Sequence, residues 1–106
     1  MIVIARPRNS GKTTILLHYM VVNEDSIYVA RTEDAAKRAF ERSYKLGLEL
    51  NSNRFIGISN FISEDIKPPT KVLIDDVDYI IDRYFIDGLN LAGNAYVVTI
   101  TNGRKK

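Results

Sequence analysis

Apolar residues gather in short runs separated by polar punctuation, and the runs alternate between two periods. Met1 to Ala5 is apolar throughout and rich in β-branched residues, which predicts a buried strand. Arg6 to Gly11 interrupts it. From Lys12 to about Val22, the residues Ile15, Leu16, Tyr19, Met20 and Val22 recur at helical spacing and predict a helix with one buried face. Ser26 to Ala30 reads as a second strand, and Thr32 is a good N-cap for a helix over Glu33 to Leu46. Ala35, Ala36, Ala39, Phe40 and Ser43 give that helix a small-residue face suited to lying on a sheet, with Gly47 as its stop.

A third strand is expected at Arg54 to Ser59. Ser63 to Thr70, with Pro68 and Pro69, reads as a loop or a broken helical turn. Lys71 to Asp76 predicts a fourth strand, apolar until its acidic end. Tyr79 to Leu89 follows as a helix with Ile80, Ile81, Tyr84 and Phe85 turned inward, and Asn94 to Thr101 as a fifth strand. Strands alternating with helices predict an α/β fold: a mostly parallel five-stranded sheet covered on both faces, a three-layer sandwich. No repeat or linker divides the 106 residues, so one domain is expected.

Composition narrows the chemistry. An apolar share of 45% with 26% charged residues is ordinary for a globular protein. The absence of cysteine excludes disulfides, thiolate metal sites and a cysteine nucleophile, and the single histidine, His18, excludes a histidine-cluster metal site. Fifteen basic against thirteen acidic residues leave a net charge of +2, too mild to announce a nucleic-acid binder by itself. The basic residues concentrate at Arg6, Arg8 and Lys12 and again at Arg104, Lys105 and Lys106. No run is long and apolar enough for a membrane span, and the opening segment breaks into charge too early for a secretory leader. No membrane partner is expected, and the expected location is the cytoplasm.

The informative segment is Arg8, Asn9, Ser10, Gly11, Lys12, Thr13 and Thr14, between the first strand and the first helix. A helix N-terminus offers unpaired amides and a positive dipole end to an anion, and a glycine lets backbone approach phosphate. Lys12 is placed to reach β and γ phosphates, and the Thr13 hydroxyl to ligate Mg²⁺. A site of this kind needs an acid at the end of another apolar strand, and Asp75 supplies it.

With Gly11, Lys12 and Thr13 in one place and Asp75 in the other, the chain resembles the P-loop NTPases, closest to the RecA-like motor ATPases. Pro7 to Thr13 is similar to the arginine-containing Walker A segment of viral terminase large subunits. Val29, Ala30, Arg31 and Thr32 before an alanine-rich helix are similar to the second motif of helicases and terminases. The glycine that opens the full loop pattern falls at position 6, which here is Arg6. The resemblance implies a minimal P-loop core binding ATP and Mg²⁺, with Thr13 and Asp75 at the metal, Lys12 at the phosphates and Asp76 orienting the attacking water. Asp76 stands where such motors usually carry glutamate, so slow hydrolysis is implied. Arg8 is a candidate for stabilising transferring phosphate, and Asn102 or Thr101 for sensing it, with turn chemistry at Asn102 and Gly103 as the competing explanation. Work on DNA or RNA, as in viral packaging or unwinding, is implied together with a homo-oligomer or a larger motor partner. A regulatory module that binds nucleotide without useful turnover is the alternative. A small kinase is a third reading, against which no insertion is long enough to form a lid.

Overall fold

The computed structural model describes residues 1–8, 10–64 and 71–102. Asn9, the segment at 65–70 and the basic tail from Arg104 to Lys106 lie outside the described residues, as does the Asn102 side chain. The elements run β1 (Ile2–Pro7), α1 (Lys12–Val22), β2 (Ser26–Ala30), α2 (Glu33–Lys45), β3 (Phe55–Gly57), α3 (Ile58–Glu64), β4 (Lys71–Ile74), α4 (Val77–Arg83), α5 (Phe85–Gly93) and β5 (Val97–Asn102). All five strands are parallel, in the order β1-β5-β4-β2-β3.

Alternation along each strand divides the core into two layers. Tyr28, Phe55, Leu73 and Val97 face α1 and α2, where Leu16, Leu17, Met20, Ala36 and Ala39 meet them. Val29, Ile56, Val72, Ile74 and Val98 face the opposite way, onto Ile58 of α3 and Val77 and Ile80 of α4. The three-layer α/β sandwich predicted from sequence is the one observed. No helix among the described residues is long and apolar enough to cross a membrane.

The caps follow their chemistry. The Thr32 hydroxyl accepts from the Ala35 amide at 3.0 Å and starts α2, and Gly47, at φ 76°, turns the chain away after it. Glu33 reaches across to accept from the Gly57 amide, tying the start of α2 to β3. Arg54 donates to the Met20, Asn23 and Ser26 carbonyls and so ties the end of α1 to the start of β2.

Four expectations are corrected. The first strand is not buried: β1 is an edge strand, with Val3 at 51% exposure. The third strand stops at Gly57, and Ile58 opens α3, which replaces both the end of that strand and the start of the expected loop. The single helix expected over Tyr79 to Leu89 is two helices broken at Tyr84, which leaves Phe85 at 63% exposure rather than inward. Val22, expected on the buried face of α1, is exposed, and Leu17 takes its place. The break depends on Gly88, because a Cβ there would lie 2.9 Å from the Ile81 Cα. Two apolar segments in succession look like one helix to periodicity, whereas the close backbone crossing is visible only in three dimensions.

Gly88→Ala and Gly93→Ala test that crossing within one helix, since a Cβ at Gly93 meets nothing within 4 Å. Urea denaturation should show Gly88→Ala destabilised by about 1–3 kcal/mol through overpacking. Gly93→Ala should be neutral or slightly stabilised; equal midpoints for the two variants would remove the crossing as the reason for the break.

Candidate functional site

The C-terminal ends of β1, β4 and β5 and the N-terminus of α1 converge on one cavity of about 330 Å³. Its chemistry starts at Gly11, whose φ of 85° is left-handed and turns the chain into α1. A Cβ at Gly11 would meet nothing within 4 Å, so conformation, not crowding, calls for glycine. Position 6 needs no such freedom. Arg6 is still paired within β1, opposite Thr101, and Asp76 is the only described non-glycine residue at positive φ. The loop therefore begins after Pro7, past position 6.

Lys12 is 8% exposed and its ammonium donates to the Pro7 carbonyl at 3.1 Å, holding the side chain folded back under the loop. The first-turn amides of α1 have no acceptor within the helix. The Ser10 hydroxyl is buried with no hydrogen-bond partner among the described residues, which leaves a polar atom at the cavity wall to be satisfied by something else.

Asp75 anchors the opposite wall. Its Oδ2 accepts from the Thr13 hydroxyl at 2.7 Å and from the Tyr28 hydroxyl at 2.5 Å, and its Oδ1 accepts from the Thr99 hydroxyl at 2.5 Å. The carboxylate is 7% exposed, and these donors offset the desolvation of its charge. Burial, and then the adjacent Asp75 charge, hold the Tyr28 hydroxyl well above its ordinary pKa.

Asp76 adopts φ 53°, ψ 52° immediately before α4. Aspartate visits this region at a cost of about 1–2 kcal/mol, which the surroundings must hold. The Asp76 amide donates to the Thr99 hydroxyl at 2.8 Å, and its Oδ1 accepts from the Thr101 hydroxyl at 2.9 Å. Its side chain makes no capping bond to α4, so helix capping does not account for it.

The structure thus brings Arg8, Ser10, Gly11, Lys12, Thr13, Asp75 and Asp76 around one cavity, with Thr101 beside them. Thr14 stands apart, its hydroxyl accepting from Arg42 at 3.4 Å. Asn102 pairs with Pro7 in the sheet. His18 is exposed, as are Asp82 and Asp87, while Asp78 is half-buried. Tyr28, Thr99, Arg31 and Arg42 were not legible as site residues. Period-two burial explains a tyrosine and a threonine in strands equally well as core, and only the strand order puts their hydroxyls on Asp75. No family model, curated protein or solved structure matches the chain.

The raised Tyr28 pKa has a signed consequence. Below about pH 10 the hydroxyl is neutral in both folded and unfolded chains and its contribution is complete. Above that the unfolded chain ionises first, so stability falls as pH rises toward the higher folded value. Urea midpoints between about pH 9.5 and 11.5 should therefore fall more steeply for the parent than for Tyr28→Phe; parallel curves would show that Tyr28 does not hold its proton on folding.

Proposed function

We propose that the chain is an ATP-binding domain that takes its nucleotide with Mg²⁺ and hydrolyses the β–γ bond slowly, in work on nucleic acid. The observation that carries the reading is the 2.7 Å bond between Thr13 and Asp75, which joins the start of α1 to the end of β4 beneath the cavity. The residues present fit the bound group: a buried lysine, a left-handed glycine at the head of an eleven-residue helix, and an unpartnered serine hydroxyl suit phosphate oxygens. Among the described residues no group of three or more His, Cys, Asp or Glu gathers to cage a metal. Mg²⁺ suits the place, because it keeps waters and substrate phosphates as ligands and asks few of the protein. Thr13 and Asp75 would hold it, and when bound it supplies charge neutralisation at the β and γ oxygens.

The chain's own contributions follow from their positions. Lys12 exchanges the Pro7 carbonyl for phosphate oxygen. Arg8, exposed at the rim, adds positive charge where the transferred group develops negative charge. Asp76 orients a water for in-line attack: the water oxygen bonds to the γ-phosphorus, the bond to the β-phosphate oxygen breaks, and the water's proton moves toward the carboxylate. Thr101 holds Asp76 from β5, the strand lying between β1 and β4, and so stands where an element sensing the γ-phosphate would stand. Preference for ATP rests on the run Asn102, Gly103, Arg104 and Lys105, which is not the Asn-Lys-x-Asp that reads guanine.

The hold of Thr101 on a short carboxylate in left-handed backbone also favours a second reading: a module that binds nucleotide and switches a partner without useful turnover. Calorimetry with MgATP tests the common part. Lys12→Ala should weaken binding by about 2 kcal/mol, roughly thirtyfold, through loss of charged hydrogen bonds; unchanged affinity would sink the nucleotide site. Phosphate release separates the two readings. Asp76→Asn should abolish slow turnover while retaining binding, and brisk turnover by that variant would take Asp76 out of the chemistry.

A further inference from the structure

A second cavity, of about 210 Å³, opens between the end of β2 and α2 and shares Thr13, Arg31, Arg42, Asp75 and Asp76 with the first. Arg38 and Arg42, one helical turn apart on α2, and Arg31, just past β2, line it. Arg31 lies 5.6 Å from the centre of the Tyr79 ring, and the Arg42 guanidinium donates to the Thr14 hydroxyl at 3.4 Å. Ala35 and Ala39 leave the space open where longer side chains would fill it. The Tyr28 hydroxyl on its wall is committed to Asp75, as are those of Thr13 and Thr99, so the negative charge nearby is already supplied with donors. Three guanidinium groups then outweigh two carboxylates.

We propose that this cavity is a second oxyanion site, built to hold the terminal phosphate of a phosphomonoester beside the first cavity. A monoester presents three terminal oxygens and close to two negative charges, which three planar forks of N–H donors match. A phosphodiester presents two such oxygens and one charge, and a carboxylate no more. The phosphate has two possible sources, a mononucleotide or the phosphorylated end of a nucleic acid. The site stands on α2 and β2, and its distinctness from the first cavity rests on the nucleotide reading of that cavity.

Calorimetric titration at low salt with saturating MgADP tests the site with three probes: AMP, a 5′-phosphorylated single-stranded oligonucleotide, and the same oligonucleotide with a 5′-hydroxyl. Binding of AMP or of the phosphorylated strand should persist with MgADP present and exceed that of the hydroxyl strand about tenfold or more. AMP binding identifies a mononucleotide as the source; binding by the phosphorylated strand alone identifies the nucleic-acid end. Arg38 is exposed and lines only the second cavity, so Arg38→Ala should keep the fold and weaken the phosphorylated probe about tenfold, with Arg38→Lys restoring only part. Equal binding of the two strands with no AMP binding, displacement of AMP by MgADP, or an Arg38→Ala variant that binds like the parent would each overturn the proposal. Failure of the nucleotide reading shows separately, as a Lys12→Ala variant unchanged toward MgATP.

Discussion

A buried carboxylate organises this end of the molecule. Left alone in the interior, the Asp75 charge would cost several kcal/mol, and the chain meets that cost with hydroxyl groups from α1, β2 and β5. Each donor fixes more than its own bond. Thr13 ties the first turn of α1 to the end of β4, Tyr28 carries the demand into the deepest part of the core, and Thr99 passes it to the Asp76 amide. The left-handed backbone at Asp76 is held through that last link. The geometry of both cavities follows from one ionised side chain being brought out of water with its partners in place.

The parallel sheet makes this possible by putting every strand's C-terminal end on one edge. Two helices on one face then open different spaces along the same edge: α1 borders the cavity beside β1, and α2 the one beside β2. Thr13, Asp75 and Asp76 form the shared wall. Two anionic groups held on its two sides would be close enough to feel one another, and the positive charge of Arg31 and Arg42, common to both cavities, lowers their repulsion.

Much of this was legible before any fold. The bounds of α1 and β2 and the Thr32 cap follow from periodicity and from residue chemistry that acts locally, while the meeting of Lys12 and Thr13 with Asp75, 62 residues on from Thr13, follows from what a phosphate-binding site asks for. What escaped is what depends on neighbours far along the chain. An apolar run looks the same whether it becomes a central or an edge strand, so the exposure of β1 was hidden. Arginines on a helix look like a solvated face until a sheet edge rises opposite them, as with Arg38 and Arg42. Asp76 could be read as a cap because aspartate often is one, but its side chain makes no capping bond to α4 and accepts from Thr101 instead.

The edge position of β1 also bears on the order in which the molecule assembles. Among the described residues β5 is the only strand that pairs with β1, and the two stand near opposite ends of the sequence. Strands β2, β3 and β4 can find one another over much shorter stretches of chain, whereas closing the sheet with β1 requires a loop spanning nearly all of it. The anchor of the Lys12 loop is therefore set by the longest-range pairing in the fold. The charged pocket is thus assembled from the shortest-range pairing of the sheet, β4 with β5, and from its longest, β1 with β5.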